Sequence, residues 1–200
     1  MLKKQKPLGR PQTLKVDLLI EKSLENYWKY GITNLSLNDL SKLLKVSKGS
    51  IYKYFKDIDN LHCATLEYYN KNYIAEWCKE IEETDDLFKP INSLSKSIVS
   101  ELNKPCFFNV SRLNRYLLGE KTRKKIDNID HNIINSWKKA IKNHVKKNEI
   151  KKNYNIQELS EFILHSISYL NLMKLNKFTS KHITSYTKIL KKKVLSDLIY

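Results

Sequence analysis

No proline occurs after Pro105, and the whole 200-residue chain holds only four Gly and four Pro. Turn-rich β architecture needs both residues at its corners, so this scarcity steers the chain towards helices. The apolar residues agree. Leu14, Leu18, Leu19, Leu24, Tyr27 and Trp28 recur at helical spacing up to Gly31, a left-handed stop. A second helix follows Ser36, with Ser36 as N-cap, Asp39 in the first turn, and Leu37, Leu40, Leu43 and Leu44 as apolar residues. After a break at Lys45-Val46, Ser47 caps a third short helix carrying Ile51 and Phe55. Asp57 or Asp59 starts a long fourth helix reaching about Ile81.

Five further helices are expected. Pro90 opens one that ends before Pro105, and Phe107 to Leu118 forms the next, stopped by Gly119. Ile126, Ile129, Ile133, Trp137, Ile141 and Val145 make a long apolar stripe. Asn155 with Glu158 starts the eighth, with Leu159, Phe162, Ile163, Ser166, Leu170 and Met173 on one face. The ninth, after Ser180, carries Ile183, Tyr186, Leu190, Val194 and Leu198. The expected fold is all-α, about nine helices. It divides into a basic arm (1–12), a three-helix domain (13–56) and a larger helical domain (57–200).

At 41% hydrophobic and 29% charged residues the composition is that of a folded globular chain. The longest uncharged stretch, Phe162 to Met173, is twelve residues and interrupted by polar groups, so no membrane partner is expected. Leu18-Leu19-Ile20 is too short for a signal-peptide core. Three cysteines, Cys63, Cys78 and Cys106, make an odd count without CxxC spacing, for which a reducing cytoplasm is the simplest home. The net charge is +16, and residues 1–56 carry twelve Lys or Arg against four acids, as a phosphate-binding surface would. The Lys-rich C-terminal region reads as a solvated surface bias, because 33 of 37 basic residues are Lys and Lys, Asn, Ile and Tyr abound throughout.

Residues 36–55, SLNDLSKLLKVSKGSIYKYF, are two short helices around a tight turn, the layout of a helix-turn-helix. The second would lie in a DNA major groove. Lys48 can donate to guanine edges, Gly49 lets the backbone approach closely, and Tyr52 can meet bases or a thymine methyl. Ser50, Lys53 and Tyr54 can reach phosphates. The pattern alone also fits an ordinary three-helix bundle with a Lys-rich face.

Residues 9–69 resemble the N-terminal domain of the TetR family of bacterial transcriptional regulators. The resemblance rests on Gly9-Arg10-Pro11, on Gly31 and Ser36, and above all on Val46-Ser47-Lys48-Gly49-Ser50-Ile51-Tyr52-Lys53-Tyr54-Phe55-Lys56. That run follows the family's V-S-K-G-T-L-Y-x-Y-F-K signature, and Leu61 stands where the family keeps a leucine. The resemblance implies that Asn38, Lys48, Gly49 and Tyr52 face base edges, and that Ser36, Ser50, Lys53 and Tyr54 hold phosphates. It makes Arg10 a candidate for minor-groove insertion, beside its reading as a solubilising tail. Lys45 departs from the Gly often found in the turn. Ile58 departs from a phosphate-gripping Lys, for which Lys56 is the candidate substitute. Asn26 stands where an apolar residue is common.

The resemblance further implies a homodimer through the last two helices, bound to a double-stranded DNA operator and released by a small-molecule effector. A repressor is the expected role. The alternative is an architectural chromosome-binding protein of the same fold without an inducer. Trp77, Phe107, Phe108, Tyr116, Trp137, Phe162 and Tyr169 are candidates for an aromatic effector pocket, though aromatics at helical spacing also read as plain core. Cys106 reads either as a reactive thiol or as a buried inert one. Asp127 with His131, and Glu161 with His165, sit at i, i+4, but two groups do not make a metal site, and no cofactor is expected. No nucleophile–base pairing or phosphate loop stands out, so no enzyme is expected.

Overall fold

The structure is a computed structural model that describes residues 16–100, 104–147 and 155–195, without the side chains of 193–195. The described residues are helical throughout, with no strand. Arg10 and Leu14 lie outside them, as does Leu198.

Helix α1 (Val16–Tyr30) ends at Gly31, whose φ of +91° is the left-handed stop expected there. Leu19, Leu24 and Tyr27 point into the core, and Asn26 donates to the Lys22 carbonyl at 2.8 Å from a half-buried position. Helix α2 (Leu37–Leu44) starts in a capping box. The Ser36 hydroxyl accepts from the Asp39 N–H, and the Asp39 carboxylate accepts from the Ser36 N–H. Helix α3 (Lys48–Phe55) is capped by Ser47, and α4 (Ile58–Tyr69) by Asp57, which accepts from the Asn60 N–H at 2.7 Å.

Helix α4 does not stop at Tyr69. It runs through a π-helical turn (Asn70–Ile74) into α5 (Ala75–Glu83), so the long fourth helix of the sequence reading is one rod with a widened turn. Aromatic rings sit at that turn. Tyr69 stacks on Tyr73 at 4.8 Å, and Trp28 meets both edge-on. Cys63 and Cys78 lie on this rod as free thiols.

Helix α6 (Phe88–Val99) carries Pro90 in its first turn, where a missing N–H costs nothing. The expected helix from Phe107 to Leu118 is shorter. Helix α7 (Phe107–Leu113) ends as Asn114 leaves helical dihedrals and its side chain returns to the Val110 carbonyl, and a 3₁₀ turn (Arg115–Leu117) follows. Gly119 does not terminate that helix. It is the N-cap of α8 (Glu120–Lys146), a 27-residue rod about 40 Å long. The expected stripe is buried along it from Ile126 to Ile141, and its last member, Val145, is half-buried.

Asn155 caps α9 (Ile156–Leu175), accepting from the Gln157 and Glu158 N–H groups. Helix α10 (Ser180–Ile189), capped by Thr179, continues as a π-helical segment (Leu190–Leu195). Counting α4 and α5 as one rod, the described residues form nine. Phe162 departs from the expected apolar face of α9, since it stands 44% exposed while Ile163, Ile167 and Leu170 are buried.

One apolar core runs from Leu19 and Leu24 in α1, through Leu61 and Leu66 in α4, to Ile126, Trp137 and Ile163 in α8 and α9. Helix α8 packs along α4, α5 and α9, so it spans the molecule from the three-helix end to the far helices. Tyr27 of α1 stacks on Phe107 of α7 at 6.0 Å, which ties the first helix to the later ones through rings.

Candidate nucleic-acid interface

Two side chains hold α3 to the protein. Ile51 is fully buried and Phe55 is 6% exposed, one helical turn apart on the inner face. Burial of that pair contributes roughly 1.5–3 kcal/mol each. Everything between and around them points away. Ser47, Lys48, Gly49, Tyr52, Lys53, Tyr54 and Lys56 are exposed, and Ser50 is half-buried. Tyr52 is 50% exposed. Ser36 and Asn38, at the start of α2, are exposed as well. Of the residues expected to touch DNA, all within the described residues are therefore on the surface; Arg10 lies outside.

The turn between α2 and α3 is built to hold that surface. The Ser41 hydroxyl donates to the Val46 carbonyl at 2.6 Å, and the Val46 and Lys45 N–H groups return to the end of α2 at Ser41 and Lys42. Lys45 sits at φ 54°, ψ 41°, in the left-handed region where a Cβ costs on the order of 1 kcal/mol. The departure from Gly noted in the sequence thus lands on a residue that needs positive φ. Ser47 accepts from the Ser50 N–H at 3.1 Å, and the two hydroxyls are 2.9 Å apart. The hydroxyl and N–H of Ser36 hold the Asp39 carboxyl below its usual range, so the cap is ionised at neutral pH.

Gly49 has an ordinary backbone conformation, and a Cβ placed there would meet only the Ser47 hydroxyl, at 3.8 Å. The fold does not require this glycine.

Sequence reasoning missed how the recognition end is fastened to the rest. Asp59, in the first turn of α4, is the acceptor for the start of α8. Its carboxylate takes the Lys121 N–H at 3.0 Å, the Thr122 N–H at 3.1 Å and the Thr122 hydroxyl. The same hydroxyl also reaches the Asp59 backbone carbonyl at 3.1 Å. Burial pushes the Asp59 carboxyl up, but the bonds from Thr122 and Lys121 outweigh it and hold it below the usual carboxylate range. Beside it, Lys121 Nζ donates to Asn60 at 2.9 Å and Lys125 pairs with Glu67 at 2.6 Å. No local sequence pattern links residues 59 and 122.

The aromatic candidates for an effector pocket are scattered. Phe107, Phe108 and Trp137 are core, Trp137 meeting Trp77 edge-on at 6.4 Å. Tyr116 stands 74% exposed beside α7, and Phe162 and Tyr169 lie on the outer face of α9. Of the seven, only Trp77 lines a cavity of about 380 Å³ between the α4–α5 rod, α6 and α9, with Tyr69, Tyr73, Leu94, Cys106 and Asn171. Cys106 is half-buried, with its N–H 3.4 Å from the Asn171 side-chain oxygen. Among the described residues no three His, Cys, Asp or Glu side chains gather as metal ligands. Asp127 pairs with Arg115 at 2.8 Å, and His165 meets Arg112 at 3.0 Å.

Residues 19–63 match the sequence model of a family described as bacterial regulatory proteins, tetR family. No curated protein matches the chain significantly. Solved structures do. The chain is similar to the reduced form of E. coli NemR, with 17% identity over 92% of this chain and 96% of that one, at a TM-score of 0.75. It is similar to a TetR-family regulator from Cytophaga hutchinsonii, with 14% identity over 92% and 94% and a TM-score of 0.77. A third, the TetR-family regulator CifR as a cysteine mutant complexed with 26-base-pair double-stranded operator DNA, gives 14% identity over 90% and 96% and a TM-score of 0.74. Identities this low speak to the fold. Residues 19–63 thus match the model of the tetR family of bacterial regulatory proteins, and the chain as a whole shares the fold of these solved TetR-family structures.

Proposed function

We propose that this protein is a DNA-binding transcriptional regulator that occupies a roughly palindromic operator as a homodimer and is released by a small-molecule effector. The observation that carries the reading is the outward face of α3, where one small and several basic or aromatic residues stand exposed on a helix held by Ile51 and Phe55 alone. In the proposed complex Lys48, Gly49, Tyr52 and Asn38 meet base edges, while Ser36, Ser50, Lys53, Tyr54 and Lys56 fix the helix on phosphates. Arg10 is assigned to the minor groove.

Two half-sites roughly 34–36 Å apart need two recognition helices, which supports a dimer. Phe162 and Tyr169 on α9 and Ile189 on α10, between 43% and 60% exposed, supply apolar surface for a bundle with the same helices of a second copy. The effector is assigned to the cavity bearing Tyr69, Tyr73 and Trp77, whose ring faces suit a planar or cationic molecule. Occupying it would shift the α4–α5 rod and with it the distance between recognition helices, a coupling typically of about 1–3 kcal/mol. No helix among the described residues is long and apolar enough to cross a membrane, in keeping with a proposed site of action on cytoplasmic DNA.

The test is a genome-wide occupancy map of the protein in its own cells. One to a few sharp peaks are expected of a regulator. Hundreds of scattered peaks would replace the reading with an architectural chromosome-binding protein.

A further inference from the structure

Gly119 poses a question that its backbone does not answer. Its φ is −69°, open to any residue, yet a Cβ there would lie 2.2 to 2.4 Å from all three carboxyl atoms of Asp59. A real Cβ never approaches that closely, so the glycine exists for the sake of one contact. The Asp59 carboxylate occupies the space in which every other N-cap residue of α8 would carry its side chain. In effect α8 takes its capping group from α4 rather than from itself, since Gly119 offers no side-chain oxygen.

The two helices joined this way have different tasks. Asp59 is four residues beyond Phe55, the last residue of α3, so only Lys56 and Asp57 separate α3 from the helix that bears it. Helix α8 runs back about 40 Å, past Trp77 beside the cavity, to pack along α9. Thr122 is fully buried and bonds both the side chain and the backbone of Asp59, which leaves the joint no freedom to slide by a residue. Lys121 to Asn60 and Lys125 to Glu67 repeat the tie on either side.

We infer that Asp59, seated against Gly119 and bonded to Lys121 and Thr122, is a positioning residue that sets the half-site spacing at which the dimer accepts DNA. The inference rests on the proposed reading of α3 as the recognition helix of a dimer. One inserted base pair moves a half-site by about 3.4 Å and turns it by roughly 35°. A joint that holds α4 rigidly on α8 rejects that change, whereas a loosened joint follows it. The contacts of Lys48, Tyr52 and Lys53 with their own half-site are untouched.

The experiment uses the full-length protein and a duplex that it selects from a random-sequence library, remade with one and two base pairs inserted or deleted at its centre. Asp59→Asn and Gly119→Ala are compared with the wild type by binding titration, each with its thermal unfolding curve and its affinity for a non-selected duplex. The wild type is expected to lose about tenfold or more in affinity per base pair of altered spacing. Both variants are expected to lose less than about threefold per base pair, with affinity for the non-selected duplex unchanged. In an Asp59→Ala background, Gly119→Ala is expected to have no further effect, because the collision is gone.

Folded variants that keep the wild-type spacing profile overturn the inference and leave a purely structural contact. If Gly119→Ala does not fold, Asp59→Asn decides by the same profile. A wild type that selects no sequence at all overturns the reading of α3 instead, so the two failures are distinguishable.

Discussion

The imidazole of His62 meets the ring of Tyr27 edge-on, with centroids 5.2 Å apart, where α1 crosses α4. Both side chains are buried, and His62 Nε2 finds no hydrogen-bond partner among the described residues. Burial pushes the imidazole down to about 4, against the opposing pull of Asp59 and of the Ile32 backbone. The unfolded chain therefore binds a proton near pH 6.5 that the folded chain refuses until about pH 4. The stability this neutral histidine allows is fully present above pH 6.5 and is lost as pH falls towards 4, by about 3 kcal/mol in all. Urea unfolding between pH 7 and 4.5 should show that decline, and His62→Phe should remove most of it. A slope unchanged in His62→Phe would mean that other groups carry it.

Gly49 separates fold from function. Because a Cβ meets nothing tighter than 3.8 Å there, Gly49→Ala should leave the fold intact and raise stability by roughly 0.5–1 kcal/mol, as expected for a helical position. The same methyl group would stand between the helix and the groove, so operator affinity should fall about tenfold or more. Calorimetry and a binding titration on one preparation check both halves. Full operator affinity in the alanine variant would contradict close approach at this point.

Lys48 and Tyr52 should differ from Lys53 in kind. On the proposed reading, replacing Lys48 or Tyr52 with Ala would remove a base contact, and operator binding should weaken by about 1–3 kcal/mol while non-specific binding hardly changes. Lys53→Ala should weaken binding to all sequences and flatten the salt dependence by about one unit of log–log slope. A Lys53 variant altered only in sequence preference would reverse the assignment.

Lys45 stores strain. At φ 54° a glycine carries no Cβ penalty, so Lys45→Gly should stabilise the protein by up to about 1 kcal/mol, the gain reduced by the freer unfolded chain. Urea midpoints measure this directly, and a destabilised variant would show that the Lys45 side chain contributes more than its backbone costs.

The helices and the exposed face of α3 were legible because their signals are local. Ser36 with Asp39, Ser47, and Asn155 with Glu158 are caps written within four residues, and the stripe from Ile126 to Ile141 repeats every turn. Errors arose where local and distant demands compete. Gly119 reads as a helix stop from its neighbours, yet it is a start, because Asp59 supplies the missing cap from sixty residues away. Phe162 falls within the apolar spacing of α9 but faces outward, since a helix with apolar residues nearly all round does not announce which side meets its own core. The scattered aromatics have the same cause: spacing places a ring on a helix, but only packing decides whether it lines a cavity, as Trp77 does, or fills the core, as Trp137 does.

The central claim is that the exposed face of α3 reads a DNA sequence. Fluorescence anisotropy of the purified protein, at fixed near-physiological salt, against the DNA upstream of its own coding sequence and a scrambled duplex of equal length tests it most directly. The account predicts a preference of about 10³ or more for the natural DNA, lost on replacing Lys48 and Tyr52 together with Ala. Equal binding to both duplexes, unchanged by that double substitution, would contradict it.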